Sequence, residues 1–351
     1  MDIYILNGFN VVGLVQSFKS VVWNTQFFGY SDLVLEVPGT TDNLNTLTEG
    51  KMLVREEDRT STGFNNVMII ESRELRYDVD EGWILTIRGE GLKSILKRRV
   101  IWNQANYSGS VERAIRQAVT DNAISPTLSA RAITSLTLGS YNGFTDTFDC
   151  QLCGENLGYW IVDTGTAYGI GWDIVINNNT YVFKLMKGTD RTFNQSVVDP
   201  VVFSPEYDNL ISVRLTKDKS EYKNAGLVLG EGEGVDQRTA TVGTASGLNR
   251  YETQIDGKSV SSNGEIITLA KYLQMLADYG NEQLANTGYT QKIEAEVIPN
   301  GMFKLNQDYY LGDIVQLELN GITAHSRILE IIYSEDGSGY QLVPTFGEWE
   351  V

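Results

Sequence analysis

The sequence predicts a β-rich α+β protein of several domains, in which two related β-barrel modules are accompanied by α/β insert domains. Alternating apolar and polar residues recur in short runs along most of the chain, as strands with one buried face require. The 351 residues include 34 glycines, 18 tyrosines and only 6 prolines, a composition that favours short strands joined by turns over a helical bundle. In addition, two segments near opposite ends of the chain share one pattern.

Strands dominate the first hundred residues. The alternation is clearest in the segments SDLVLEVPG, KMLVREED, NVMIIESREL and GWILTIRG. Two short helices interrupt this pattern, at residues 41–47 and 91–99. A longer helix is expected from Ser110 to Ala123, because Ser110 can cap its first turn and apolar residues follow at a helical period.

Helical periodicity and turn residues predict the remaining elements. A helix is expected from Glu155 into the mid-160s, and the segment GWDIVINNNTYVFKLMKG is predicted to be a hairpin with an asparagine-rich turn. Asn320–Gly321 predicts a type I′ turn in VQLELNGITAHSRI, because both residues tolerate positive φ angles. The longest helix is expected from Glu265 to Leu284. Its apolar side would be formed by Ile266, Leu269, Leu273 and Leu276.

The two similar segments begin at Gly50 and Gly312. In each, a glycine leads a strand, an apolar strand ending in glutamate follows, and the pattern Gly-aromatic-x-Leu comes last. The first segment contains KML, MIIE and EGWIL, and the second contains DIV, RILE and SGYQL. This alignment matches Glu71 with Glu330. It predicts two copies of one β-barrel module, one near each end of the chain.

Charge and composition exclude several classes of protein. The chain has 28 basic and 45 acidic residues, so a surface that grips DNA phosphates is not expected at a net charge of −17. No run of about 20 apolar residues predicts a membrane span. The N-terminus MDIYILNGFNVVGLV does not resemble a secretion signal, so the chain is expected to begin at Met1. Two cysteines are too few for a disulfide framework and fit a reducing cytoplasm.

The stretch YKNAGLVLGEGEG has the glycine content of a phosphate-binding loop. Such a loop supplies a lysine and opens a helix, whose backbone amides hold the phosphate. Here Glu231 and Glu233 stand between Gly230, Gly232 and Gly234, and the strand-like segment TATVG follows. The dinucleotide-binding pattern fails for the same reasons. The sequence therefore predicts a solvated connection between two strands.

Few residues are candidates for metal or redox chemistry. Cys150 and Cys153 have the spacing of a redox motif, but a structural zinc site takes four ligands and the chain adds only His325. Two ordinary small apolar side chains are therefore favoured, because unpaired cysteine is commonly buried. His325 lies in a strand pattern and is expected to be structural, which excludes the two-histidine motif of zinc peptidases.

The segment DVDEG at residues 78–82 has some similarity to a calcium loop. Its glycine is one position early, and Gly89 stands where the bidentate glutamate belongs, so a hairpin turn is predicted instead. No pair among the 45 acidic residues is singled out by spacing for glycoside hydrolysis. The sequence therefore predicts no catalytic, cofactor-binding or metal-binding residues, and no enzymatic activity.

Several long segments together resemble the tail-tip or baseplate hub proteins of tailed bacteriophages, of the siphophage type, and of phage-derived tail particles. These segments are DLVLEVPGTTDNLNTLTEGKMLVREED, IRGEGLKSILKRRVI, VVFSPEYDNLISVRLTKDKSEYKNAGLVLGEGEG and GDIVQLELNGITAHSRILEIIYSEDGSGYQLVPTFGE. The resemblance spans nearly the whole chain in order. Its most specific part is the pattern around Asn209–Leu210 and from Tyr222 to Gly234.

Hub proteins of this family are homotrimers that close the tail tube, with two related barrel domains in each chain. The resemblance thus implies a structural virion protein at the distal end of a tail, which adapts the six-fold tail tube to three-fold tip proteins. It would form part of the channel for DNA and the tape-measure protein. The implied partners are the tail tube or distal tail protein, the tape-measure protein and tip or receptor-binding proteins, while DNA passes without specific binding. No cofactor is implied, and assembly would take place in the host cytoplasm.

The implied domains follow the predicted elements. They are a first β-barrel domain at 1–98, an α+β domain at 99–199, a second β-barrel domain at 200–258 and 289–351, and a helical insertion at 259–288. Some related proteins continue into an endopeptidase or receptor-binding region, which a chain ending at Val351 is expected to lack. Two alternatives stay open: a tail-associated cell-wall hydrolase or endopeptidase, which should release peptidoglycan fragments, and a carbohydrate-binding tip module, which should bind glycans.

Overall fold

A computed structural model describes residues 1–260, 267–285, 287, 290–298 and 301–350. The chain forms two compact units. Unit 1 comprises Met1–Val213 and Glu294–Val351, and unit 2 comprises Arg214–Ile293. The structure is β-rich, with 44% strand and 21% helix, as the sequence predicts. The division into four domains stays a prediction.

The elements of the described residues are numbered along the chain. The strands are β1 (Ile3–Asn7), β2 (Asn10–Leu14), β3 (Ser20–Gln26), β4 (Asp32–Pro38), β5 (Met52–Arg55), β6 (Gly63–Phe64), β7 (Met68–Asp78), β8 (Gly82–Gly91), β9 (Ala105–Ser110), β10 (Leu136–Leu138), β11 (Thr147–Leu152), β12 (Gly171–Asn177), β13 (Thr180–Met186), β14 (Asp190–Arg191), β15 (Val202–Phe203), β16 (Leu210–Asp218), β17 (Ala225–Leu229), β18 (Thr239–Val242), β19 (Glu252–Asp256), β20 (Thr290–Val297), β21 (Ile314–Leu319), β22 (Ile322–Asp336) and β23 (Gly339–Glu350). The α-helices are α1 (Thr41–Thr46), α2 (Val111–Val119), α3 (Leu157–Ala167) and α4 (Leu269–Ala285).

One large sheet organises the fold. Its strand order is β16-β20-β23-β22-β3-β4-β8-β7-β5-β1-β2, and β21 joins it through β22 while pairing with β14 and β15. Among the described strands this order does not close on itself, so the structure shows no closed barrel. The two predicted barrel modules are therefore not confirmed.

Helix α2 covers the main core of unit 1, as its sequence predicts. The side chain of Ser110 accepts a hydrogen bond from the backbone N–H of Arg113 and so caps the helix. The apolar positions of α2 are all buried; they are Val111, Ala114, Ile115, Ala118 and Val119. The helix ends earlier than predicted and continues as a π-helical turn over Thr120–Ile124.

The two predicted hairpin turns are confirmed. Asn178 and Asn179 join β12 to β13 with φ angles of 47° and 57°. Asn320 and Gly321 join β21 to β22 with φ angles of 47° and 79°, which is the left-handed backbone of a type I′ turn. The helix predicted at 91–99 is a 3₁₀ segment.

Unit 2 packs α4 against a small sheet in the order β18-β17-β19. Its core is formed by Val228, Val242, Ile255, Tyr272 and Leu276. The helix begins later than predicted, and its expected apolar residue Ile266 lies outside the described residues. The prediction that Leu269 faces the core is wrong, because its side chain is 56% exposed. The aromatic ring of Tyr272 occupies the core instead.

Candidate functional site

The glycine-rich loop connects β17 to β18 and forms no phosphate cradle. The N–H of Gly230 donates to the carbonyl of Arg238, and the N–H of Arg238 donates to the carbonyl of Glu231, each over 2.8 Å. The N–H of Glu231, which a phosphate loop would turn towards its ligand, instead donates to the phenol of Tyr272 at 2.8 Å. A Cβ atom on Gly230 would lie 2.6 Å from that phenol, so glycine is required by close packing.

The cysteines and the histidine do not converge on one site. Cys150 lies on β11, half-buried against the core of unit 1, whereas Cys153 is exposed in the turn before α3, so the expectation of burial is wrong for Cys153. No disulfide joins them. His325 lies on β22 opposite Gln316, with its Nδ1 atom 3.2 Å from the amide nitrogen of Asn194. Within the described residues, no cluster of three His, Cys, Asp or Glu side chains is placed to hold a metal ion.

The most specific part of the family resemblance has a structural role. Asn209 is buried, and its side chain accepts a hydrogen bond from the Ser204 N–H at 2.9 Å and donates to the Val202 carbonyl at 2.8 Å. The rings of Tyr222 and Tyr251 meet edge to face at 5.3 Å. These residues hold loops in place and form no reactive group.

The two similar segments form the same three-stranded antiparallel meander. In the first copy, β5 pairs with β7 and β7 pairs with β8. In the second copy, β21 pairs with β22 and β22 pairs with β23. The strand order around them also agrees, because β3-β4-β8-β7-β5 in one half of the sheet corresponds to β16-β20-β23-β22-β21 in the other. The correspondence therefore extends over five strands.

Backbone contacts confirm the correspondence in detail. The N–H of Gly50 donates to the carbonyl of Ile70, and the N–H of Gly312 donates to the carbonyl of Ile328, each over 2.9 Å. Directly after Ile70 and Ile328, both strands have a β-bulge. A bulge inserts one unpaired residue and bends the strand in a defined direction. The same irregularity at the same position is stronger support for duplication than strand pairing alone.

The bulges correct the sequence alignment by one residue. Residues Glu71 and Leu329 occupy the bulge in their respective copies, so Glu71 matches Leu329 rather than Glu330. The sequence pattern does not reveal this offset of one residue, because it aligns the two glutamates with each other. Beyond the bulge the two copies stay in the same register, because Asp78 follows Ile70 by eight positions and Asp336 follows Ile328 by eight positions.

The two meanders also share their hairpin turns. The Asp78 carboxylate accepts a hydrogen bond from the N–H of Asp80, and the Asp336 carboxylate accepts one from the N–H of Ser338. Backbone hydrogen bonds lower the pKa of Asp78, and the hydroxyl and N–H of Ser338 lower the pKa of Asp336. The prediction that the DVDEG segment is a hairpin turn is thus confirmed.

The two halves of the sheet join where β22 pairs with β3. Tyr333 lies opposite Trp23 in this pair, and both side chains are buried. The Arg55 guanidinium lies 3.5 Å from the ring centroid of Tyr333 and 5.6 Å from that of Trp23. Its Nε atom donates to the Asp58 carboxylate at 2.6 Å. A buried ion pair and two aromatic rings therefore fix the junction.

Carboxylates line the other face of the same strands. Asp32 on β4 lies opposite Glu90 on β8, and Asn24 on β3 donates to both Asp32 and Glu330, at 2.9 and 2.6 Å. Burial raises the pKa of Asp32, and the nearby carboxylates Glu330 and Glu90 raise it further, against the hydrogen bond from Asn24. The Asn24 side chain therefore joins carboxylates across two strand pairs, β3–β4 and β3–β22.

A pocket of about 570 Å³ opens beside these carboxylates. Two of its carboxylates are in ion pairs, since Lys97 lies 2.7 Å from Glu90 and Arg98 lies 2.7 Å from Glu71. The pocket therefore carries charges of both signs, and its lining also includes Asp32 and Arg88.

Comparison with known structures identifies the class of fold. A tail protein from Neisseria meningitidis MC58 matches with a TM-score of 0.58 and 15% identity, over 99% of this chain and 96% of that one. The 43 kDa tail protein of prophage MuSo2 from Shewanella oneidensis matches with a TM-score of 0.58 and 13% identity, over 99% and 98%. Prophage tail protein gp18 from Listeria monocytogenes EGD-e matches with a TM-score of 0.51 and 12% identity, over 98% and 94%. The fold is that of phage and prophage tail proteins.

The sequence family agrees with the fold. The model of the siphovirus ReqiPepy6 Gp37-like proteins matches residues 2–348. The chain belongs to this family, and the resemblance to phage tail proteins is confirmed. No curated protein matches the sequence significantly. Among the residues that the structure describes, no helix combines the length and apolar character needed to cross a bilayer.

Proposed function

We propose that this chain is a structural virion protein that forms a homotrimeric hub at the distal end of a phage or phage-like tail. The duplicated meander with its shared bulge carries the proposal. Three chains with two copies each present six similar modules, which matches the six-fold symmetry of a tail tube while keeping three-fold symmetry for the tip proteins. A trimer of chains with one module each would offer only three modules, so half of the six contact sites on the tube would have no partner.

The acidic face of the sheet supports a role as a channel wall. Asp32, Glu90 and Glu330 lie together on it, and the whole chain carries a net charge of −17. A wall of this sign repels DNA phosphates, so DNA passes without adhering. In this proposal the opposite, apolar face of the sheet is buried in the core.

The hub connects several partners and performs no catalysis. It contacts the tail tube or distal tail protein on one side and tip or receptor-binding proteins on the other, in the assembled virion. Assembly takes place in the host cytoplasm. The membership in a siphovirus family supports this location.

Mass measurement and localisation test the proposal. The purified chain should sediment with three times its monomer mass at high concentration, and antibody labelling should place it at one end of the tail. A chain that stays monomeric at all concentrations, or that labels the capsid or the tail shaft, would contradict the proposal. Release of peptidoglycan fragments by the purified chain would favour the hydrolase, and glycan binding would favour the carbohydrate-binding module.

A further inference from the structure

The second meander has a strand neighbour that the first meander lacks. Beyond its bulge, β22 pairs through residues 330–335 with β3. The corresponding edge of β7, residues 72–77, has no partner strand among the described residues, because β5 pairs only with Met68 and Ile69. One copy of the module thus carries an occupied edge and the other an open one.

Two apolar side chains on the open edge are exposed, whereas the position on the occupied edge that matches the first of them is buried. Tyr333 is 5% exposed under the cover of β3, whereas its counterpart Leu75 is 44% exposed. Tyr77, two residues further along the same face, is 61% exposed. Exposed apolar side chains on an unpaired strand edge are typical of a surface that another strand covers.

The strand that corresponds to β3 in the second half of the sheet is β16, and it is the end strand of the described order. Its alternate residues Ile211, Val213 and Leu215 are apolar and 40–57% exposed. The corresponding face of β3 is buried against β22 through Val21 and Trp23. Strand β16 therefore has the alternation of a strand whose partner is missing.

The two open edges cannot meet within the sheet of one chain. Six strands separate β16 from β7 in the order β16-β20-β23-β22-β3-β4-β8-β7. A second copy can bring its β16 to this β7 without rearranging any strand. The contact would be heterologous, and a heterologous contact that repeats with three-fold rotation closes into a ring.

We propose that residues 72–77 of β7 in one chain pair antiparallel with β16 of a second copy, and that this contact repeats the pairing of β22 with β3. In this pairing Leu75 lies beside Val213, the middle one of the three alternating apolar residues of β16. The inference rests on the proposed homotrimer and specifies the edges that close it. Alternating intramolecular and intermolecular junctions then give one continuous sheet around the ring.

Disulfide cross-linking tests the pairing directly. In a Cys150→Ser/Cys153→Ser background, the variant Leu75→Cys/Val213→Cys should give covalent dimers and trimers on oxidation, because side chains opposite each other on paired strands are within disulfide reach. Glu74→Cys/Val213→Cys is the matched control and should give at least tenfold less product, since neighbouring residues of a strand point to opposite faces. Equal cross-linking of both variants would overturn the pairing.

Charged substitutions at Leu75 and Val213 test the edge pairing separately from the proposed function. Leu75→Lys and Val213→Glu should each raise the concentration for half-assembly at least tenfold, while circular dichroism stays unchanged because both side chains are exposed. The double variant should recover assembly through the new ion pair. A wild-type trimer that neither substitution weakens and that the cysteine pair does not cross-link would overturn the edge pairing and leave the trimeric hub intact. A wild-type chain that never assembles would overturn both.

Discussion

Removing the charge of Asp58 should destabilise unit 1 strongly. Asp58 and Arg55 form a 2.6 Å ion pair whose side chains are 3% and 1% exposed. The substitution Asp58→Asn leaves the guanidinium buried with only aromatic rings and a neutral amide around it. Breaking a buried pair from one side reduces the free energy of unfolding by about 3–5 kcal/mol. That is a large part of the roughly 5–15 kcal/mol that stabilises a typical domain.

A second ion pair in the same turn provides the control. Arg59 and Glu56 have the same i, i+3 spacing and a 2.9 Å separation, but their side chains are 42% and 49% exposed. Exposed pairs contribute about 0–1 kcal/mol. Glu56→Gln should therefore leave the stability close to that of the wild type, so burial separates the two outcomes.

Urea denaturation followed by tryptophan fluorescence measures this difference. All six tryptophans lie in unit 1, so their signal reports that unit. Asp58→Asn should lower the transition midpoint with little change in the slope, and Glu56→Gln should leave both close to wild type. Equal, small effects from the two substitutions would refute the argument that Arg55 and Asp58 fix the junction of the two halves.

Three further predictions concern a buried lysine, a buried tyrosine and a closely packed glycine. Burial lowers the pKa of Lys93 from 10.5 to about 8, so above pH 8 the folded state binds fewer protons than the unfolded state. Unit 1 should therefore become more stable between pH 7.5 and 9.5, and Lys93→Met should remove that rise in urea titrations. Tyr272→Phe removes the partner of the Glu231 N–H and the Val260 carbonyl, which should reduce the stability of unit 2 by about 1–3 kcal/mol and accelerate its amide hydrogen exchange. Gly230→Ala should have a similar effect by overpacking, of about 1–3 kcal/mol, and normal exchange in this variant would contradict the packing argument.

Local signals in the sequence predict local structure well. The cap at Ser110 and the apolar period behind it locate α2, and Asn320–Gly321 locates a hairpin turn, because each depends on residues close together in the chain. The same holds for the glycine loop, where acidic residues and a following strand exclude phosphate binding. The exposure of Cys153 and Leu269 departs from expectation, since both depend on what packs nearby.

The pairing of strands that lie far apart in the chain leaves no comparable signal in the sequence. The partners β3 and β22 lie about 300 residues apart, and an alternating pattern specifies which face is buried but not which strand lies beside it. The burial of the ion pair of Arg55 and Asp58 is not predicted either, because charged residues at a strand end usually face solvent. The duplication is visible in the sequence, but the residue-by-residue match of its two copies is established by the bulges that follow Ile70 and Ile328.

The symmetry of the assembled tail tip tests the central claim most directly. A cryo-electron microscopy reconstruction should contain three copies of this chain in one ring, with six copies of the three-stranded meander at equal radius around the channel. Six copies of the chain, or meanders at two different radii, would contradict the proposal that duplication within the chain matches a trimer to a six-fold tube.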